Sequence, residues 1–315
     1  MKLFYFFLSL VLTVPSTFAQ QLRYSGSDTV EPLIEAAQVA FARGNAGYKV
    51  RIQATGTSSG IRELCTGRAP LVGASRPIKP QEIKECIAAG IQYVEVPLAL
   101  DAVVMVVSVK NTWLKDLTLA ELQTLYAPAS NGKLLSWKQL RPSFPDLPLR
   151  TAGVGIKHGT FEFFLNAIGN NSLVRSDIKD FTNHGDTGRF VASDLGAIGF
   201  MSMGEAKAMD NQLRMVSVDT GNGPVMPSVD AVVNGKYDKL SRTVYLYANQ
   251  PMLTKLTPLD LDFVRMLISE TEKFVSFSNL IPLRSLQYQE NKRRVSLPMS
   301  LLSPFKLITT ASNML

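Results

Sequence analysis

Residues 94–109 form the longest apolar stretch outside the first twenty residues, and no other segment restricts the fold as much. The stretch is rich in Val and carries Glu95, Pro97 and Asp101. A membrane helix needs about 20 predominantly apolar residues. A dense run of β-branched residues interrupted by charges suits a long strand or a strand pair better. Around it, strand and helix patterns alternate, which predicts an α/β class. Short strands are predicted at 22–24, 48–54 and 71–74. Apolar residues at helical spacing include Val30, Leu33, Ile34, Ala37 and Phe41, then Ile61, Leu64 and Cys65. Thr118 and Glu121 have the spacing of a capping box. Further strands are predicted at 149–152, 196–200 and 242–248, and a last helix at 259–269. From Ser285 the pattern decays, and residues 285–315 stay an unassigned tail.

The first twenty residues give an address. Lys2 precedes an apolar run over 3–14, Pro15 and Ser16 break it, and Thr17-Phe18-Ala19 places small residues at a cleavage site. This predicts a secretory signal peptide over 1–19, because a membrane anchor would need about 20 apolar residues. The product is expected to be periplasmic or secreted. Its 32 basic and 26 acidic side chains leave a net charge of +6. That balance permits anionic partners without naming one, and nothing points to nucleic acid. In an oxidising compartment Cys65 and Cys86 are expected to pair, against the alternative of two buried thiols. Such a bridge contributes about 3 kcal/mol in the chain-entropy model. With 46% hydrophobic residues a core can form, and the two histidines, His158 and His184, argue against a multi-His metal site.

Three small-residue turns precede helices: 25–29 (Ser-Gly-Ser-Asp-Thr), 55–60 (Thr-Gly-Thr-Ser-Ser-Gly) and 158–160 (His-Gly-Thr). Each exposes backbone N–H groups at an electropositive helix end and adds hydroxyls, which suits an anion. As plain caps these turns would need no function. Gly56 to Gly60 also fits the G-x-S-x-G nucleophile elbow, with Ser58 as nucleophile. Only 36 residues lie between the signal and Gly56, which leaves little room for the earlier strands of a hydrolase sheet. The loop at 153–160 lacks the Gly-Lys-Ser/Thr ending of a nucleotide-binding phosphate loop.

In this order the turns resemble those of the phosphate-binding proteins of phosphate-specific ABC transporters. The resemblance runs from about Leu22 to Leu283. It rests on Ser25-Gly26-Ser27-Asp28-Thr29-Val30, on Ala54 to Gly60, on Gly73-Ala74-Ser75-Arg76-Pro77-Ile78, on Gly196 to Phe200 and on Leu240 to Tyr247. It implies a type 2 periplasmic-binding fold: two α/β lobes of mixed sheets flanked by helices and joined by two crossing hinge strands. Lobe 1 would span 20–104 and 243–284, and lobe 2 would span 105–242. The family's branch with Ser-Arg-Pro-Ile also tends to carry both cysteines, in line with a Cys65–Cys86 bridge.

The resemblance implies a monomeric, non-enzymatic protein without cofactor or metal, which captures inorganic phosphate and delivers it to an ABC transporter permease. Carried over residue by residue, its ligand contacts are Ser27, Thr29 and the Val30 N–H; Thr57, Ser58 and Ser59; Arg76; and His158, Gly159 and Thr160. Arg150 and Asp186 are further candidates. The chain departs from the family pattern at His158, where Ser is usual, and at Phe161, where an Arg often stands. It departs again at Arg76, where other members place an acidic residue that accepts the phosphate proton. These departures leave sulfate, molybdate or another oxyanion as alternative ligands. A secreted serine hydrolase using Ser58, and an exported sensor with a decayed site, are the remaining readings.

Overall fold

The computed structural model describes residues 21–155, 159–171 and 173–295. The expected signal peptide, His158 and residues 296–315 lie outside the described residues. The strands are β1 (Arg23–Gly26), β2 (Arg51–Gln53), β3 (Leu71–Ala74), β4 (Tyr93–Ser108), β5 (Asp116–Thr118) and β6 (Arg150–Val154). They continue with β7 (Lys179–Phe181), β8 (Ala197–Ser202), β9 (Leu213–Asp219), β10 (Pro224–Val225) and β11 (Ser241–Asn249). They form one mixed sheet in the order β2-β1-β3-β11-β4-β8-β6-β7, with β9 also paired to β4 and carrying β5 and β10.

The apolar stretch is a single 16-residue strand, β4, that changes partners midway. Its first ten residues pair antiparallel with β11, from Tyr93 opposite Asn249 to Ala102 opposite Ser241. From Val103 onward it pairs with β8 and β9 instead. The register with β11 shifts between Val244 and Tyr245, where Pro97 sits. A proline has no N–H to give to a ladder, so it belongs at such an irregularity. β4 and β11 are thus the two crossing strands.

Apolar packing follows the same division. Leu22, Tyr24, Ile34, Leu71, Val96, Leu246, Phe263 and Leu267 belong to one core. Val104, Val106, Trp137, Phe164, Ile198, Phe200 and Val216 belong to another. A smaller cluster beside the first encloses Cys65 and Cys86, which are joined by a disulfide with their Cα atoms 4.3 Å apart.

The region after Ser285 requires a correction, because residues 285–295 form a helix, Ser285–Val295, docked on β4. Tyr288 and Asn291 are buried, and both hydrogen-bond the crossing strand: the Tyr288 hydroxyl donates to the Leu98 carbonyl (3.1 Å) and Asn291 Nδ2 to the Pro97 carbonyl (2.8 Å). Among the described side chains of this helix, the buried ones form a narrow, partly polar stripe, so the sequence shows no broad apolar face.

Candidate functional site

β1, β2 and β3 run parallel, so their C-terminal ends and the turns that follow lie together. β1 leads into Ser27, and β3 leads into Ser75 and Arg76. The second turn differs from expectation, because its helix starts early and spans Thr57–Cys65. Gly56 is the N-cap, at φ 82°. Thr57, Ser58 and Ser59 therefore occupy the first helical turn, where N–H groups have no acceptor within the helix. The Gly56 N–H donates to the Gly26 carbonyl (2.8 Å), which ties the first two turns together. At Gly60 the backbones nearly touch: a Cβ there would lie 2.6 Å from Gly26 Cα.

These turns line a cleft of about 580 Å³. Its walls include Ser27, Asp28, the 54–59 turn, Ser75, Arg76, Gly159, Glu162, Phe163 and Arg242. Of the expected contacts, Ser27, Thr57, Ser58, Ser59, Arg76 and Gly159 meet here. Gly159 opens the helix Gly159–Ala167 and faces Asp28 and Ser75, whose side chains would lie in ordinary contact, 3.5 and 3.6 Å, with a Cβ added there. Thr29 and Thr160 face a smaller cavity of about 160 Å³, shared with Asp28, Asp101 and His184. The Val30 N–H donates to the Ser27 carbonyl (3.2 Å), and Val30 is buried away from the cleft walls. Arg150 pairs with Asp194 (3.3 Å) and is half exposed, outside both cavities. Asp186 is in the first turn of the helix His184–Ser193, where Asn183 is the cap, and its carboxylate pairs with Arg189. Arg189 and the Asn183 amide hold that carboxyl below the usual range.

The hydroxyls are held by one another. Thr57 Oγ1 accepts from the Ser75 N–H (3.0 Å) and lies 3.1 Å from Ser75 Oγ. Arg76 donates to Ser58 Oγ (2.9 Å) and forms a bidentate pair with Glu82 at 2.8 and 2.9 Å. Burial pushes the Glu82 carboxyl up, but hydrogen bonds from Arg76 and the Lys79 N–H outweigh it and leave the carboxyl below its ordinary value. Ser58 Oγ accepts from the Arg76 guanidinium, a cation that cannot take the hydroxyl proton as a hydrolase nucleophile requires.

Arg242, on β11, is a cleft residue that the turn motifs did not reveal. Its side chain is 8% exposed and pairs with Asp101 of β4, 3% exposed, at 2.9 Å. It also donates to the Gly159 carbonyl (3.1 Å) and to Thr29 Oγ1 (3.4 Å), and it stacks over Phe163. One guanidinium thus holds both crossing strands, the first turn and the start of the Gly159–Ala167 helix. A signal existed, because Asp101 interrupts the longest apolar stretch outside the first twenty residues and a buried charge requires a partner. Among the described residues no three His, Cys, Asp or Glu side chains cluster as a metal site would require, and no helix is long and apolar enough to cross a membrane.

A mixed sheet with two cores, crossed by two long strands beside a donor-lined cleft, has the architecture of a solute-binding protein. The chain matches the family model of the PBP superfamily domain over residues 13–273 and belongs to that family, whose members bind solutes and are not enzymes. Among its relatives, Protein SphX of Synechocystis sp. is 33% identical over 279 residues, 88% of this chain and 83% of that protein. The phosphate-binding protein PstS of Staphylococcus epidermidis is 31% identical over 72% of this chain and 68% of its own. A candidate phosphate-binding protein from Planctomyces limnophilus has a structure that superposes with a TM-score of 0.74 at 27% identity, covering 88% of this chain and 98% of that one. A candidate phosphate ABC transporter substrate-binding protein from Clostridium perfringens, solved with bound phosphate, gives 0.64 at 26%, covering 84% and 100%.

Proposed function

We propose that this protein captures inorganic phosphate in the cleft, outside the cytoplasmic membrane, and delivers it to an ABC transporter permease as a monomer. The observation that carries this reading is the convergence of three donor sources on one cleft: the first turn of the Thr57–Cys65 helix, the Ser75-Arg76 segment, and Arg242 beside Gly159. Hydroxyl and N–H donors in a partly dehydrated cleft bind a tetrahedral oxyanion strongly while adding little net charge. Arg76 and Arg242 are each compensated by a carboxylate, so they offer directed hydrogen bonds more than bulk charge. We assign 1–19 to a cleaved signal peptide. One lobe then comprises 20–104 and 243–284, extended by the 285–295 helix, and 105–242 form the other.

The choice between phosphate and an unprotonated oxyanion turns on Asp28 and Glu162, which line the cleft although Arg76 occupies the usual acidic position. At neutral pH phosphate retains a proton that a carboxylate accepts, whereas sulfate would meet repulsion. Titration calorimetry on the mature protein tests the assignment. Micromolar or tighter phosphate binding with much weaker sulfate and molybdate binding is expected. Absence of heat with phosphate would remove it, and tighter sulfate binding would transfer the site to that ligand.

A further inference from the structure

A third cavity, of about 640 Å³, lies at the other end of the same parallel strands. Leu22 and Arg23 at the start of β1, Arg51 at the start of β2, and Arg68 and Pro70 ahead of β3 line it, with Met252, Lys255, Leu256 and Asp260 facing them. The C-terminal ends of these strands carry the cleft, so the cavity lies a full strand length from it.

Its charges are unevenly matched. Arg23 pairs with Glu63 at 2.8 Å. The Asp260 carboxylate is occupied by the Tyr48 hydroxyl (3.0 Å) and the Thr257 hydroxyl (2.7 Å). Arg68 Nε donates to the Thr66 hydroxyl (3.0 Å). Among the described residues, Arg51, Arg68 and Lys255 have no carboxylate partner. Three exposed cations without an ion-pair partner therefore ring a concave floor built from Leu22, Pro70, Met252 and Leu256, and they outnumber the single Asp260 carboxylate, which its hydroxyl partners hold without neutralising. Cations with low-dielectric walls between them concentrate the field into the depression.

We propose that this cavity is a second anion site, which takes a ligand bearing several phosphate groups, either a soluble polyphosphate or the phosphate headgroups of a lipid surface. A single phosphate would engage one or two of the cations, whereas charges spaced along a chain or a surface match a ring of them. The contacts are exposed, so binding weakens steeply with salt.

The test uses mature protein saturated with inorganic phosphate, so that the cleft is filled. Tripolyphosphate is titrated calorimetrically, and vesicles of phosphatidylglycerol, with phosphatidylcholine as control, are tested by co-sedimentation. The Arg51→Gln/Lys255→Gln variant should lose about tenfold or more of the binding, since two charge-assisted contacts disappear. A Lys110→Gln/Lys133→Gln variant, with the same charge removed elsewhere, should bind as wild type. Phosphate affinity of the cleft should stay unchanged in both, which separates this proposal from the cleft assignment. Binding to tripolyphosphate alone identifies a soluble ligand, and binding to vesicles alone identifies a lipid surface. No binding to either, or equal loss in the two variants, overturns the proposal.

Discussion

The Arg242 guanidinium meets the Asp101 carboxylate at 2.9 Å where the two long strands cross, and the same side chain hydrogen-bonds the Gly159 carbonyl across the cleft. Both partners of the pair are nearly fully buried. Removing one partner of a buried pair leaves an uncompensated charge and costs about 3–5 kcal/mol. Asp101→Asn should lower the unfolding free energy obtained from urea titration by that amount without abolishing folding. Stability equal to wild type would show that the pair carries no such weight.

Arg242→Lys keeps the charge but loses the planar fork that reaches Asp101, Gly159 and Thr29 together. Phosphate affinity should fall by about tenfold or more, as expected for losing charge-assisted hydrogen bonds of about 1.5–3 kcal/mol. Small-angle scattering should also show less compaction on adding phosphate. Wild-type affinity and compaction would remove Arg242 from the site.

Ser58→Ala removes a hydroxyl from the cleft and an acceptor from Arg76, while the Glu82 pair persists. A neutral hydrogen bond contributes about 0.5–1.5 kcal/mol, so phosphate should bind about two- to twelvefold more weakly. Calorimetry gives the answer directly, and an unchanged dissociation constant would separate Ser58 from the ligand.

Gly60→Ala places a methyl group 2.6 Å from Gly26 Cα, a backbone atom that no side-chain rotation can clear. Overpacking of this kind costs about 1–3 kcal/mol. The displaced first turn should weaken phosphate binding along with stability, and thermal denaturation with and without phosphate measures both effects.

The Glu82 carboxyl titrates lower in the folded protein than in the unfolded chain. Its contribution is therefore present above the ordinary carboxylate pKa and is lost as pH falls through the lower folded value. Denaturant midpoints followed from about pH 6 to pH 3 should fall less steeply in Glu82→Gln than in wild type, since the usual Glu pKa is about 4.3. Parallel curves would assign the acid sensitivity to other carboxylates.

The turns were legible because their chemistry is local. Small residues, Gly56 at positive φ and the hydroxyls of 57–59 announce a helix start with free N–H groups wherever they occur. Strand β9 was missed because its burial does not alternate cleanly, and the Ser285–Val295 helix because, among its described side chains, only Tyr288 and Asn291 are buried.

The sequence alone determined the α/β alternation, the strand character of residues 94–109 and the three donor turns, since each follows from composition and spacing within a short segment; it left Cys65 and Cys86 open between a bridge and two buried thiols, and the structure joins them. Only the tertiary structure decided which donors share a cleft. It set Thr29 and Thr160 in the smaller cavity, left Arg150 on the surface, and brought Arg242 to Asp101, 141 residues away. The physical reason is that β4 and β11 pair antiparallel over nine positions, a register fixed by long-range hydrogen bonding and burial that no local pattern encodes.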